Sequence, residues 1–299
     1  MPRYHDRDFF FKYVTKEAAQ LIIKNRTLRW SCPIDFNDPF DHRFAFFDEN
    51  RIDAIVDLFN QRLEAYVWEH DGGIQFNSTH PFGLILNTFK EKKAVIPREA
   101  FRENAKAIRQ RIVDAGKLAL AYFNKETERA RLQTRVLCLA EENDNLLMWS
   151  HYSASHTGAV FKLNAIDELD VPLLVAKKVR YSGKYPLLVT EDEWIDHALC
   201  VNRIDLVKRE SELLLVKGKD WSYENEWRVS ITNEDYSLGG TIDFKEPPEV
   251  FGAIYLGCRM EKEDKEIIME LAGRSLPNIE VWQAIQGQKT YKVEFKRLR

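Results

Sequence analysis

Two glutamates in one short segment are the residues of this chain best suited to chemistry. Glu224 and Glu226 lie in the segment WSYENEWRV, residues 221–229, which we interpret as the mouth of a strand flanked by aromatic rings. In an extended backbone successive side chains point to opposite faces, so both carboxylates would project from one face, with Asn225 opposite. Burying two neighbouring acids is costly, but such a pair can hold a ribose hydroxyl and stabilise a developing cation. The alternative is that one glutamate forms an ion pair with Arg228 or a nearby lysine at a sheet edge.

A second cluster combines aromatic rings with two histidines in the segment MWSHYSASHTG, residues 148–158. His151 and His156 are five residues apart, so they do not form an i, i+4 metal pair, and no cysteine accompanies them. One interpretation is that His151, which lies beside Trp149 and Tyr152, is a hydrogen-bonded packing residue. The other is a pocket wall, in which Trp149 or Tyr152 stacks on a flat ring while His151 donates to a sugar or phosphate oxygen. Gly158 would permit a close approach of the backbone.

A third segment, DFNDPFD at residues 35–41, is dense in turn-forming residues. Pro39 forces the residue before it out of the helical region, and Asn and Asp side chains bond to their own backbone. This pattern indicates a rigid loop pinned by Phe36 and Phe40. A functional alternative is that the loop presents polar side chains to a ligand, namely Asn37, Asp38 or Arg43. A metal site made of Asp35, Asp38 and Asp41 lacks the spacing of an EF-hand.

The composition excludes several classes of protein. The chain has 299 residues, 44% of them hydrophobic and 12% aromatic, which is enough for a packed core and excludes wholesale disorder. The net charge of −3 gives no global attraction to nucleic acid. Four scattered cysteines, Cys32, Cys138, Cys200 and Cys258, predict buried free thiols in a reducing compartment. Without a long apolar run or a signal peptide, the protein is predicted to be soluble and cytoplasmic. Rossmann, P-loop and serine-hydrolase motifs are absent.

Hydrophobic periodicity predicts an α+β fold with mixed, mostly antiparallel sheets. The chain is interpreted as one domain, residues 1–299, with an all-helical insertion at about 50–132. Thr15 is the expected N-cap of the first helix. Paired glycines within residues 233–240 predict a hairpin between two late strands. The predicted strands are residues 9–14, 28–32, 135–140, 159–163, 175–181, 227–232, 241–244, 253–256, 280–282 and 291–295. The predicted helices are residues 51–69, 83–92, 97–132, 145–152, 191–216 and 261–273.

The motifs occur in an order that resembles a bacterial family catalogued as a domain of unknown function (family twenty-nine seventy-one). The resemblance depends on three blocks in sequence: FNDPF at residues 36–40, MWSHY at residues 148–152 with Gly158, and YENEWR at residues 223–228. The run FKY at residues 11–13 and the run LCL at residues 137–139 add to it. It spans both ends of the chain and leaves out the helical insertion.

A more distant similarity is to the ADP-ribosyltransferase superfamily, and it implies a split sheet and NAD as substrate. The strand around Lys12 and Tyr13, the helix after it and the strand at residues 28–31 resemble the beginning of those proteins, and Glu224-x-Glu226 resembles their catalytic end. Glu226 would contact the nicotinamide ribose and stabilise the oxocarbenium-like transition state. Glu224 would orient or deprotonate the acceptor. The resemblance implies an NAD pocket lined by Lys12, Tyr13, Asn37 and His151, with Tyr152 or Trp149 against the nicotinamide ring.

The implied function is an ADP-ribosyltransferase-like enzyme that modifies a macromolecule, protein or nucleic acid, as a bacterial toxin or phage-defence effector. A neutralising antitoxin or regulatory protein is a further expected partner, and no membrane is expected. One alternative is a metal-dependent nuclease that uses Asp38, Asp41, Glu224 and Glu226 as ligands. The other is a non-catalytic regulatory module that binds a partner through its helical insertion.

Overall fold

The fold is α+β, as predicted. A computed structural model describes residues 2–69, 74–92, 95 and 97–299. These residues form two compact units, each made of segments that are separated in the sequence. Unit 1 comprises residues 1–42, 130–184 and 215–299, and unit 2 comprises residues 43–129 and 185–214.

Unit 1 is built on a mixed, mostly antiparallel sheet, in which ten strands of the described residues take part. Its first four strands are β1 (Phe9–Val14), β2 (Thr27–Ser31), β3 (Thr134–Ala140) and β4 (Ala159–Asn164). The next are β5 (Lys177–Lys178), β8 (Glu226–Thr232), β9 (Thr241–Lys245) and β10 (Phe251–Leu256). The last are β11 (Glu280–Gln286) and β12 (Val293–Arg297). β6 (Arg180–Ser182) and β7 (Val216–Gly218) pair with each other in a separate ribbon.

The strand order is β12-β11-β10-β4-β1-β3-β2-β9, and β8 pairs with both β3 and β5. Within the sheet the pair β10–β11 is parallel, and the other pairs are antiparallel. β3 is the branching strand, because it pairs with β8 along its whole length and contacts both β1 and β2. The open branch between β1 and β2 determines where the cavity described below lies.

Helices cover both faces of this sheet. α1 (Lys16–Asn25) begins at Thr15, whose side chain accepts from the Ala18 amide, which confirms the predicted cap. α1 and α8 (Lys262–Ser275) contribute Ile22, Ile23, Ile268 and other apolar residues to the main core. α5 (Leu146–Tyr152) packs with Phe11, Tyr13 and Val160 in a second cluster. Because side chains alternate along β1, Phe10 joins the first cluster and Phe11 the second.

Unit 2 is helical. It contains α2 (Ile52–Trp68), α3 (Pro81–Glu91), most of α4 (Arg98–Leu132), α6 (Glu191–Ala198) and α7 (Leu206–Leu213). The predicted helices at 51–69, 83–92 and 97–132 therefore form close to their expected bounds. Aromatic rings of Phe46, Phe47, Phe123 and Trp194 pack together in its core.

Three sequence predictions are wrong in detail, and each has a local cause. The predicted helix at 191–216 is two helices, because Cys200 adopts a left-handed backbone and Asp205 caps a new start. The predicted strand at 175–181 is two short strands with different partners, β8 and β7. β8 and β9 do not form the predicted hairpin, since β9 pairs with β2 instead.

No helix among the described residues has both the length and the apolar character needed to cross a membrane. None of the four cysteines forms a disulfide, as predicted. The predicted burial is confirmed for Cys32 and Cys200 and is wrong for Cys138 and Cys258, which are half-buried.

Candidate functional site

A cavity of about 300 Å³ lies in unit 1 where β1 and β2 separate. β3 pairs with β1 at Ala140 and Phe11, and with β2 at Val136 and Ser31, so the two neighbouring strands meet β3 at different points along it. The cavity has both polar and apolar walls. Its lining residues include Phe11, Lys12, Tyr13, Arg29, Asn37, Asp41, Cys138, Tyr152, Lys217, Glu224 and Glu226.

Lys12 reaches into the gap between the separated strands. Its Nζ donates a hydrogen bond of 3.2 Å to the backbone carbonyl of Cys138 on β3. Burial lowers the pKa of this ammonium group, and Glu226 acts in the opposite direction. Between Val136 and Ala140, β3 pairs with neither β1 nor β2. The hydrogen bond from Lys12 takes the place of a strand partner at this point.

Five buried charged side chains form one ion network at the base of the cavity. Arg228 donates to both oxygens of Glu226, with distances of 2.8 Å from Nε and 2.8 Å from Nη2. It also donates to Asp41, with 2.9 Å from Nη1 to Oδ1. Lys217 Nζ lies 2.5 Å from Glu224, 3.2 Å from Glu226 and 3.3 Å from Asp41. All five residues are at most 5% exposed, so these ion pairs are shielded from water and from screening.

The network separates the pKa values of the two glutamates. Burial alone would raise the pKa of Glu226, but Arg228 and Lys217 outweigh burial and hold it at about 2. Burial raises the pKa of Glu224 above its ordinary value, and the charge of Glu226 adds to this effect against the opposing pull of Lys217. Glu226 is therefore a fixed negative charge near neutral pH, while Glu224 is the more basic carboxylate. Diverging pKa values in a carboxylate pair are typical of sites that divide acid–base and electrostatic roles.

The charges of the network do not cancel. Three carboxylates face two cations, so the fully ionised network carries one net negative charge. Cation–π contacts border it, because Lys217 Nζ lies 4.9 Å from the Trp221 ring centroid and the Arg228 guanidinium lies 5.5 Å from that of Phe36. Lys12 and Arg29 also line the cavity, so a cationic group of a ligand would be stabilised where it lies close to the carboxylates of the network, and not throughout the cavity.

A hydrogen-bonded chain connects the FNDPF loop to Glu224. Asn37 Nδ2 donates to the Tyr152 hydroxyl at 3.0 Å, and that hydroxyl donates to Glu224 Oε1 at 2.5 Å. The loop is thus tied to the site by Asn37 and by Asp41, whose side chain lies in the ion network. Phe40 does not pin the loop, because it is 69% exposed. Asp38 accepts from the amide of Phe40, an Asx turn within the loop itself.

The geometry of the Glu-x-Glu segment differs from the extended strand that the sequence suggests. Glu224 ends a turn of 3₁₀-helix, Lys219–Glu224, and the strand begins only at Glu226. The residue between them, Asn225, has a φ of 43°, in the left-handed region that asparagine tolerates better than most residues. Both carboxylates nevertheless converge on Lys217. The predicted ion pair with Arg228 or a nearby lysine is confirmed, although it is buried within the unit.

Six of the eight predicted site residues line the cavity, and two do not. Lys12, Tyr13, Asn37, Tyr152, Glu224 and Glu226 are among its walls. Trp149 is fully buried beneath them, and its indole donates to the carbonyl of Asn143. His151 is exposed and bonds the hydroxyl of Tyr223 at 2.9 Å. Residue 151 lies on another side of α5 than residue 152. Residue 149 shares the face of residue 152 one turn earlier, but its ring is buried against Tyr13 instead of lining the cavity.

Gly158 has the close backbone approach that its sequence position suggests. A Cβ at this residue would lie 2.2 Å from the carbonyl oxygen of Val14 on β1. The turn before it has three consecutive residues with positive φ, Ala154, Ser155 and His156. This turn brings the His156 ring parallel to Trp149, with 6.1 Å between the ring centroids.

Sequence reasoning missed Lys217 and undervalued Asp41 and Arg228. One signal for Lys217 is available, because it interrupts the apolar run LLLV at residues 213–216. A lysine directly after such a run is a candidate for burial against acidic partners. The sequence suggests Asp41 only as a metal ligand and Arg228 only as an ion-pair partner of the glutamates.

Metal binding has no support in the part of the chain that the structure describes. No group of three or more His, Cys, Asp or Glu residues there could hold a metal ion. The point at which Asp41, Glu224 and Glu226 converge is filled by the ammonium group of Lys217.

Residues 148–229 match a family described as "Protein of unknown function (DUF2971)". The family resemblance inferred from the motifs is confirmed over this segment, which includes residues 148–152 of α5 and the two glutamates. No curated protein and no solved structure gives a significant match.

Proposed function

We propose that this protein is an NAD-consuming enzyme of the ADP-ribosyltransferase type, and that the cavity between β1 and β2 binds the nicotinamide-ribose part of NAD. The observation that carries the proposal is the ionised Glu226, which is fixed at the base of a cavity beside a second, more basic glutamate. Fold analogy with the superfamily is secondary, because a fold does not by itself define an activity.

The cavity suits this substrate in size and charge. A volume of about 300 Å³ lies at the lower end of small-molecule sites and suits part of a dinucleotide. Oxidised nicotinamide carries a positive charge, and the five-residue network has one negative charge in excess. Tyr13 and Tyr152 provide aromatic walls, against which the nicotinamide ring can pack.

In the proposed reaction, the bond between the nicotinamide nitrogen and the ribose C1′ breaks. The bonding electron pair leaves with nicotinamide, and the ribose develops oxocarbenium character. The fixed charge of Glu226 stabilises this cation without reorganising, since Arg228 and Lys217 hold both carboxylate oxygens in place. An acceptor nucleophile then bonds C1′, and its proton passes to Glu224, the more basic carboxylate.

Release of nicotinamide from NAD by the purified protein tests the proposal. Glu226→Gln keeps the side-chain volume and removes the charge, so release is expected to fall by about 100-fold or more. Glu224→Gln is expected to slow transfer to an acceptor more than it slows hydrolysis, because Glu224 acts on the acceptor.

Glu141→Gln is the matched control. Glu141 is also an ion-paired glutamate of unit 1, with Lys178 at 2.7 Å, but it does not line the cavity. Its variant should release nicotinamide at the wild-type rate, and thermal unfolding should verify that all three variants are folded. If a folded Glu226→Gln protein is as active as the wild type, or if the wild type releases no nicotinamide, the proposal is wrong.

A further inference from the structure

A second and larger concavity of unit 1, which we call the basic cleft, lies at the β11–β12 hairpin. Its volume is about 800 Å³. The cleft is lined by Leu146, His156, Cys258, Arg259, Val293 and the hairpin residues 286–292. Neither the function proposed above nor the sequence motifs use it.

The charge of the basic cleft is of one sign. Arg259, Lys289 and Lys292 line it, and no lining residue carries a carboxylate. Among the described residues, none of these three cations forms an ion pair or a side-chain hydrogen bond, whereas most other arginines of unit 1 are paired. The whole chain has a net charge of −3, so this concentration of positive charge is local. Three unpaired cations around one concavity favour a ligand with several negative charges.

The other walls of the cleft favour a nucleic acid over an acidic protein. Tyr291 is 98% exposed at the hairpin, between Lys289 and Lys292, so its ring is available for stacking. Gln286, Gln288 and Thr290 add amide and hydroxyl groups that can bond base edges and phosphates. Cations that follow a backbone and an aromatic ring that stacks on a base are the two components of single-strand recognition.

The basic cleft is separated from the cavity by one aromatic ring. Tyr13, which lines the cavity, meets Trp149 edge-on with 5.7 Å between centroids. His156, which lines the cleft, stacks on Trp149 with an interplanar angle of 6°. The buried Nδ1 of His156 has no hydrogen-bond partner among the described residues. The cavity and the basic cleft thus border the same buried ring from two sides.

We propose that the basic cleft binds single-stranded nucleic acid, and that this strand is the macromolecular acceptor of the transfer reaction. The second part rests on the proposed function, whereas strand binding does not. Phosphates contact Arg259, Lys289 and Lys292, and one base stacks on Tyr291.

Fluorescence anisotropy with labelled DNA and RNA oligonucleotides of about 12 nucleotides tests binding in the absence of NAD. If the strand makes three phosphate contacts, a plot of log association constant against log salt concentration should have a slope of about −2. The combined variant Arg259→Ala, Lys289→Ala and Lys292→Ala should bind at least about tenfold more weakly and lose most of this slope.

Matched controls separate the cleft from general charge. Lys184, Lys245 and Lys296 are exposed residues of unit 1 that do not line the cleft, and replacing these three with alanine removes the same charge. This control should bind within about twofold of the wild type. Tyr291→Ala should weaken binding by about fivefold or more. Tyr291→Phe should bind as tightly as the wild type, because stacking on a base needs the ring and not the hydroxyl group.

Several results would overturn the proposal. They are the absence of oligonucleotide binding by the wild type, equal losses in the cleft variant and its control, and unchanged binding by Tyr291→Ala. Polyglutamate that competes as well as the oligonucleotide would indicate an acidic protein partner instead. Failure of the proposed function appears separately, as absence of nicotinamide release. Binding without transfer of ADP-ribose to the strand, by an enzyme that does release nicotinamide, would refute only the acceptor role.

Discussion

At the scale of residues, the site depends on an ammonium group that lies where three carboxylates meet. Three carboxylates that meet at one point repel one another, and a divalent cation is a common solution to that problem. Here Lys217 occupies the point where Asp41, Glu224 and Glu226 converge, and Arg228 holds two of the three from the other side. Removing one partner from such a buried network leaves an uncompensated charge, so its members depend on each other.

Glu246, another buried carboxylate of unit 1, makes the free energy of unfolding depend on pH. This dependence can be measured without substrate and without an activity assay. Burial raises the pKa of Glu246 from 4.5 to about 7, and this side chain forms no ion pair among the described residues. Because the folded-state pKa is raised, the protonated acid stabilises the fold below about pH 4.5. This contribution is lost as the pH rises through 7.

Glu246→Gln, which is neutral at every pH, should therefore match the wild type near pH 4.5 and be more stable at pH 8. The expected difference in free energy of unfolding is up to about 3 kcal/mol. Urea unfolding of both proteins across this pH range measures it. Glu249→Gln, an exposed neighbour, is the control and should show no such trend. A pH-independent difference for Glu246→Gln would contradict the buried, unpaired state of this acid.

At the scale of elements, the cavity exists because β1 is held in place away from β2. β1 pairs with β4 over six residues, from Phe9–Asn164 to Val14–Ala159. Gly158 ends the turn that leads into β4 and lies against the carbonyl of Val14. The same turn positions His156 on Trp149, so one short segment supports both the cavity wall and the basic cleft.

Gly158→Ala should therefore destabilise unit 1, because its Cβ would lie 2.2 Å from a backbone oxygen of β1. We expect a loss of about 2 kcal/mol or more in the free energy of unfolding, together with weaker nicotinamide release. Gly183→Ala is the matched control, since a Cβ there meets nothing within 4 Å. It should be neutral or stabilising by up to about 1 kcal/mol. Equal effects of the two substitutions in thermal unfolding would refute the role of the close contact.

Elements that depend on local sequence could be predicted, and those that depend on distant partners could not. The long periodic pattern of α4 and the apolar runs of β1, β3 and β4 identified these elements close to their bounds. The break between α6 and α7 depends on the left-handed backbone of Cys200, a conformation that cysteine does not signal. The pairing of β9 with β2 rather than β8 is a long-range choice that periodicity does not encode.

The same distinction applies to the site. The aromatic and acidic character of the Glu224 and Glu226 segment was visible in the sequence, and so were the side chains of Asn37 and Tyr152. The network that tunes them was not, because Asp41 and Arg228 are 187 residues apart in the chain. Periodicity also could not separate Tyr152, which faces the cavity, from Trp149, which is fully buried.

At the scale of the whole molecule, both proposed binding sites belong to one of the two units. Every residue that lines the cavity or the basic cleft lies in unit 1. Unit 2 has its own apolar core, which includes Val67, Phe76 and Ile195. Substrate binding should therefore slow the exchange of backbone amide hydrogens mainly in unit 1.

Hydrogen–deuterium exchange of the wild-type protein with and without carbocyclic NAD tests this expectation, because this analogue keeps the cationic nicotinamide ring but resists cleavage of its bond to the sugar-like ring, so the charge of Glu226 is present and turnover is suppressed. Exchange is expected to slow in the segments that line the cavity, residues 11–13, 29–41, 136–152 and 217–226. Residues 98–129 of α4 belong to unit 2 and should exchange at the same rate in both samples. Nicotinamide-free ADP-ribose serves as the control ligand, since it lacks the cationic ring that the network attracts, and should protect these segments less. Protection confined to α4, or equal protection by both ligands, would show that the excess negative charge at Glu226 does not select the substrate.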